Sequence, residues 1–282
     1  MGGVRTAAVR PSVSRRRTQA NRPHGVSTRL RDNDVRAGVR GGHRMGALSV
    51  IPCRPAPPCH TFARGRAAGA PPGEERRMSP YVRPYRAADH EALADICVRT
   101  AHLGGDARPH YRDPSVLPVL FAHPYAAFEP ELCFVLDDGG RAVGYVLGTA
   151  DTDRFVGRFR AEWLPRHADR YPLPGGPAAD SDDVMAGLLH DPERMRVPAL
   201  KDYPAHLHID LLPSFQRQGH GRRLMSAHLH ALAARGAPRV HLGMVTANTP
   251  ARAFYDRLGF HEIPVPDAGE LTYLGRGTGE GL

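Results

Sequence analysis

A mixed α/β sheet with helices packed on both of its faces is the architecture this sequence predicts, and three observations carry it. An apolar run over 207–212 turns through Gly219 and Gly221 into a helical pattern at 222–235, which reads as strand, turn and helix. Two short strand patterns at 133–136 and 142–149 flank Asp137-Asp138-Gly139-Gly140, a turn whose residues accept positive φ and close a hairpin. Beyond Gly236 the pattern runs strand, helix, strand, strand, which adds both element types to one core.

The elements follow in order. Residues 81–86 alternate as a first strand, and Asp89 starts a helix with Leu93, Ile96 and Cys97 at its apolar positions. Residues 103–131 hold glycine, proline and a short helical piece at 116–121. After the hairpin, 152–204 form an insertion with helical stretches near 153–163 and 181–189 around a proline-rich middle. A strand at 205–212 leads to the turn, and the helix after it stops at Gly236 and Pro238 as a C-cap should. A strand at 239–245, a helix at 249–258 and strands at 260–264 and 270–275 complete the chain.

A formal charge of +9 would ordinarily suggest a nucleic-acid partner. That charge sits in residues 1–77, where 16 Arg face 4 acidic residues, so the remainder is mildly acidic and gives no reason to expect nucleic acid. Residues 1–77 are rich in Pro, Gly and Arg and lack the periodicity of a packed domain, which predicts a disordered tail. A secretory signal fits poorly, because the apolar run at 47–51 is short and broken by Pro52. An organellar transit peptide fits the composition better. The favoured expectation is that translation starts at Met78, which Ser79-Pro80 joins to the first strand. Lys201 is the only lysine among 38 basic residues, as a GC-rich bacterial genome would produce.

Residues 78–282 are long enough for one full core. Cys97 and Cys133 lack metal-ligand spacing and read as buried free thiols, so no metal is expected. No run approaches the length of a transmembrane helix. A reducing cytoplasm is the expected compartment.

The turn Gln216-Arg217-Gln218-Gly219-His220-Gly221 presents free backbone N–H groups at a helix N-terminus, a ready site for phosphate or pyrophosphate. Glycine at 219 and 221 is expected to let the backbone approach the anion. The spacing of Gln216, Gly219 and Gly221 resembles the acetyl-CoA signature of the GNAT superfamily of N-acetyltransferases. A second stretch, Asn248 through Ala251, Phe254, Tyr255, Gly259 and Phe260, resembles another hallmark of that superfamily. Residues 81–276 also resemble the acetyltransferase-like C-terminal domain of O-GlcNAcases and its bacterial stand-alone relatives. Arg83-Pro84-Tyr85, Cys133-Phe134-Val135-Leu136, the block 144–149 and Trp163-Leu164-Pro165 carry that likeness.

These resemblances imply a mostly antiparallel sheet with one splayed strand pair, and acetyl-CoA as co-substrate for acetyl transfer to an amine. The pyrophosphate would lie on 216–221, with Arg217 and Arg222 adding charge, although solvated surface arginines are the ordinary reading. By resemblance, the backbone of Leu211 and Leu212 would bind the pantetheine arm, with the Leu211 N–H on the thioester oxygen. Backbone at Gln218 and His220 would complete the turn. Asn248 is a helix N-cap on local grounds and a pantetheine contact by resemblance.

Tyr255 alone would be an aromatic core residue beside Phe254; the motif implies a general acid for the departing thiolate, a role suited to a phenol of pKa about 10. Strand geometry puts His206, His208 and Asp210 on one face, and a polar face on a helix-covered strand predicts a solvated cleft. His-Leu-His is similar to the two-histidine stretch of arylalkylamine N-acetyltransferases, with one residue fewer before the turn. Asp210 matches an acid in the O-GlcNAcase-type domains; base, ammonium holder and structural acceptor all remain open for it. Asp151 is a further acid that could hold the ammonium. His220, His228 and His230 read as surface or helix-face residues.

The insertion is expected to wall the acceptor site with Phe159 and Trp163, and with Asp180, Asp182 and Asp183 for a cationic acceptor. The function expected is an acetyl-CoA-dependent N-acetyltransferase for a small amine, an amino sugar or arylalkylamine-like acceptor. The alternative is a degenerate acyl-CoA-binding or protein-interaction module. No nucleic-acid or membrane partner is expected, and the oligomeric state is left open, a homodimer among the options.

Overall fold

A computed structural model describes residues 79–282. The readings made for residues 1–77 and for a start at Met78 lie outside the described residues. Seven strands form one sheet: β1 (Tyr81–Pro84), β2 (Phe134–Asp138), β3 (Arg141–Thr149), β4 (Ala205–Leu211), β5 (Arg239–Val245), β6 (His261–Ile263) and β7 (Leu271–Gly277), in the order β1-β2-β3-β4-β5-β7-β6. Every neighbouring pair is antiparallel except β4 and β5. That parallel pair holds together only at Ala205↔Val240 and His206↔His241, and the two strands then diverge. The sheet is mixed, mostly antiparallel and splayed at its centre, as expected.

The helices are α1 (His90–Thr100), α2 (Val116–Phe121), α3 (His123–Phe128), α4 (Thr152–Arg158), α5 (Leu164–His167), α6 (Ser181–His190), α7 (His220–Ala234) and α8 (Thr249–Arg257). One core gathers Leu93 and Ile96 of α1, Leu117 and Leu120 of α2, and Tyr125 of α3 against β2 and β3. Another joins Met225, Leu229 and Leu232 of α7 and Tyr255 of α8 to Leu207, Val240, Leu242 and Leu274. The N-terminal strand is tied down by Arg83, whose buried guanidinium donates to both oxygens of Asp89 at 2.7 and 2.8 Å and to Asp137 at 2.7 Å.

The insertion packs into the first core rather than onto the cleft. A π-helical turn, Phe159–Trp163, joins α4 to α5. Phe159 is fully buried, and Trp163 is 7% exposed with its indole N–H donated to the Val119 carbonyl at 2.8 Å. Asp180 and Asp182 bind Arg112, through its guanidinium and its backbone N–H. The expected aromatic wall is therefore part of the core, because bulky apolar rings gain more from burial than from lining an open site, and Asp180, Asp182 and Asp183 surround Arg112 at the surface. No helix among the described residues is long and apolar enough to cross a membrane.

Candidate active site

The splay creates unpaired backbone. Leu212 N–H donates to the Val143 carbonyl at 3.0 Å, and antiparallel alternation then turns the amides of Leu211 and Ile209 away from β3. They point into the gap that β5 has left. Leu212, expected as a backbone partner of the pantetheine arm, is thus corrected: its N–H already belongs to β3. Leu211 keeps a free N–H, while its carbonyl accepts the Gln216 side-chain amide at 2.8 Å. Gln216 therefore locks the turn onto the end of β4, and Gln218 locks it again by donating to the Ser214 carbonyl at 2.7 Å.

The turn then enters α7 with an unusual cap. Arg217 and Gly219 take left-handed φ of 58° and 83°, and Gly219 is the N-cap with no side chain to satisfy the first amides. No acidic residue occupies the first turn either. The N–H groups at the start of this 15-residue helix are left for a ligand, and the helix dipole favours an anion. Arg217 and Arg222 line the same cleft, and among the described residues neither pairs with a carboxylate. The ring of His220 is nearly buried and its Nδ1 has no partner among the described residues.

Gly221 has a different reason from the one expected. A Cβ built there would meet Phe254 Cε2 at 2.9 Å and Cζ at 3.1 Å, so the glycine lets α7 approach α8. A Cβ at Gly219 would meet no protein atom within 4 Å, and its left-handed φ of 83° is itself a reason for glycine there.

The cleft, of about 1030 Å³, is bounded by the β4 end, the turn, α8 and the chain after α1. Asn248 Oδ1 accepts from Ala251 N–H at 3.3 Å, so it caps α8 while lining the cleft. Tyr255 lines it too, with its ring stacked edge-on to Phe254 and Phe260. Burial, and secondarily the charge of Asp210, pushes its phenol up, so it stays protonated. Asp210 faces the same space, and its Oδ2 accepts the Tyr145 hydroxyl at 2.7 Å. Burial raises its pKa, only partly opposed by that hydrogen bond. Sequence reasoning missed Tyr145 and Thr100 and named no individual role for Leu103 and Gly104. The first is found only through the β3–β4 register, Tyr145↔Asp210, and the others line the cleft from the end of α1 onward.

Other expectations are corrected. Asp151 is the N-cap of α4, accepting from Arg154 N–H at 3.0 Å. It lies beyond Thr149, which pairs with His206, while Tyr145 pairs with Asp210; the intervening strand puts even the Thr149 end on the order of 13 Å from the Asp210 end. It lines a separate cavity of about 210 Å³ with Thr152, Pro204 and His241. The polar face of β4 is not solvated throughout, since His206 is 6% exposed and packed edge-on to Tyr125 and Phe155. His208, on the same face and nearer the cleft, stays only half-buried and is bonded through Nε2 to the Tyr125 hydroxyl at 3.1 Å, so its place at the site is kept. Of the two readings of His228, the helix-face one holds: on α7 it is fully buried under β3, with Nδ1 donating to the Leu132 carbonyl at 2.9 Å. Cys97 and Cys133 are free and buried, and burial pushes both thiols up, which removes them as nucleophiles. Among the described residues, no three His, Cys, Asp or Glu side chains are grouped to hold a metal.

Residues 100–260 match the model of the acetyltransferase (GNAT) family. The crystal structure of SsHAT is 64% identical, with a TM-score of 0.70, covering 72% of this chain and 100% of that one. The protein O-GlcNAcase of Rattus norvegicus is 23% identical over 184 residues, covering 64% of this chain. The match spans only 20% of that protein's length. The ribosomal protein bS18-alanine N-acetyltransferase of Haemophilus ducreyi is 37% identical over 62 residues, 20% of this chain and 43% of that protein.

Proposed function

We propose, from the premise that this chain belongs to the acetyltransferase (GNAT) family, whose members use acetyl-CoA, that it transfers an acetyl group to the amine of a small molecule. One observation carries the reading. The unpaired Leu211 N–H, the Asp210 carboxylate and the Tyr255 phenol all belong to one cleft that ends at an uncapped helix N-terminus.

The residues present fit the co-substrate. The first amides of α7, with Arg217 and Arg222, would hold the pyrophosphate, and the gap beside Leu211 would take the pantetheine arm as an added strand. Acetyl-CoA supplies the activated thioester. Leu211 N–H is the donor for charge developing on the carbonyl oxygen, a contribution of about 10²–10³ in rate for donors of this kind. Asp210 attracts the ammonium and accepts its proton, a task for which its raised pKa suits it better than an ordinary carboxylate. Tyr255, kept protonated by burial, donates to the departing thiolate.

Calorimetry with acetyl-CoA followed by a free-thiol assay over a panel of amines tests this. Tight binding with thiol release on one amine class is expected. Binding without turnover of any amine would leave an acyl-CoA-binding module, and no binding at all would remove both readings.

A further inference from the structure

A run of hydrogen bonds between β4, α3 and α4 has a direction that one carbonyl determines. Thr152 Oγ1 lies 2.8 Å from the Pro204 carbonyl oxygen, which can only accept, so the hydroxyl proton points there. The same Oγ1 lies 2.8 Å from His206 Nδ1 and, its own proton committed, must accept. His206 therefore carries its proton on Nδ1. Burial, reinforced by His241, His208, Arg194 and His228, keeps this ring neutral, so Nε2 is a bare lone pair. The Tyr125 hydroxyl, 2.8 Å away, donates to it. The tyrosine oxygen then accepts from His208 Nε2 at 3.1 Å.

His208 ends the chain as the Nε2–H tautomer. Burial, with Arg194 on the turn Pro192–Met195 and His241 on β5, lowers its pKa to about 4 and keeps it neutral. Its Nδ1 is then an unprotonated acceptor, with no protein partner among the described residues and not sealed from solvent. Along β4 it stands two residues from Asp210, roughly 7 Å on the same face.

We propose that Tyr125, His206 and Thr152 are positioning residues that fix His208 as a hydrogen-bond acceptor for the N–H of the substrate amine beside Asp210. The inference rests on the amine-acetylating reading above and adds why the polarity matters. An attacking amine has one lone pair, which must reach the thioester carbon. An imidazole N–H turned toward it would bind that lone pair, whereas a bare Nδ1 binds an N–H and leaves the lone pair free. Anchoring the far end on a proline carbonyl makes the correct tautomer the one that satisfies every buried group.

Nitrogen-15 NMR of the imidazoles in the full chain reads the tautomers directly. His206 is expected protonated on Nδ1 and His208 on Nε2. Thr152→Val removes the acceptor for His206; His208 should gain Nδ1–H character, and kcat/KM for the amine should fall about tenfold, the scale of one net hydrogen bond. Acetyl-CoA affinity should not change, and Thr152→Ser should restore both tautomer and rate. Wild-type His208 protonated on Nδ1 overturns the proposal whether or not any variant folds. So does a Thr152→Val protein that loses activity with the His208 tautomer unchanged. The expected tautomers with no turnover of any amine would defeat the functional reading, and the amine role of His208 with it.

Discussion

Replacing Gly221 by alanine asks whether that glycine serves the helix pair or the ligand. The added Cβ would sit 2.9 Å from Phe254 Cε2 and 3.1 Å from Cζ, well inside the separation of about 3.5–4.0 Å that carbon atoms prefer. Phe254 is only partly buried, so its ring can withdraw, and the overpacking cost belongs at the lower end of about 1–3 kcal/mol. Alanine in a helix returns up to about 1 kcal/mol. The net loss is then roughly 0–1 kcal/mol, and a domain of this size melts about 2–4 °C lower for each 1 kcal/mol. Affinity should suffer more than stability, because Phe254 lines the cleft and has to move within it. About a tenfold weaker Kd for acetyl-CoA is expected, equivalent to about 1.4 kcal/mol. Calorimetry and thermal melts on Gly221→Ala, Phe254→Leu and the double variant form a cycle. If packing is the reason, the shorter side chain relieves the clash and the double variant regains affinity, with a coupling of about 1 kcal/mol. Strictly additive losses would refute the packing argument and return Gly221 to the anion.

Tyr255→Phe should lower kcat by about 10²–10⁴ while leaving the acetyl-CoA Kd nearly unchanged; wild-type turnover would return the ring to the core. Asp210→Asn keeps the Tyr145 partner but removes a carboxylate whose pKa is raised in the fold, so it should abolish most turnover. A raised folded pKa means the charge opposes folding once it forms, so the melting temperature of the asparagine variant relative to wild type should rise as pH climbs through the carboxylate range; a falling difference would show the charge to be stabilising. Trp163→Ala should cost about 3–5 kcal/mol as a core truncation and affect both substrates' KM alike, whereas a selective rise for the amine would put the indole back at the acceptor. Burial raises the pKa of Asp89, but hydrogen bonds from the Arg83 guanidinium and the Arg86 backbone N–H, with the charges of both arginines, together outweigh it and hold the group below its ordinary value. The stability it contributes is present above the unfolded pKa and lost as pH falls through the folded one, so acid melts of Arg83→Met should lose that dependence.

What the sequence determined by itself is local. The hairpin, the strand and helix bounds around the 216–221 turn, and the stops at Gly236 were all legible because periodicity and turn chemistry act over a few neighbouring residues. The same holds for the residues that line the cleft from that turn and from α8, since each belongs to a short motif on one element. Direction along a strand was not legible. Asp151 and the insertion attach to β3 and β4 at the His206 end, whereas Asp210 and Leu211 stand at the other, and only the register Tyr145↔Asp210 separates the two. Nor could spacing tell a cleft aromatic from a buried one: Trp163 and Tyr255 differ in what packs across them, not in their own neighbours. The polarity of His208 lay further out of reach, because it is set by a carbonyl at Pro204 through side chains from three elements. Tautomers follow from the complete satisfaction of buried donors and acceptors, and that accounting exists only once the chain has folded.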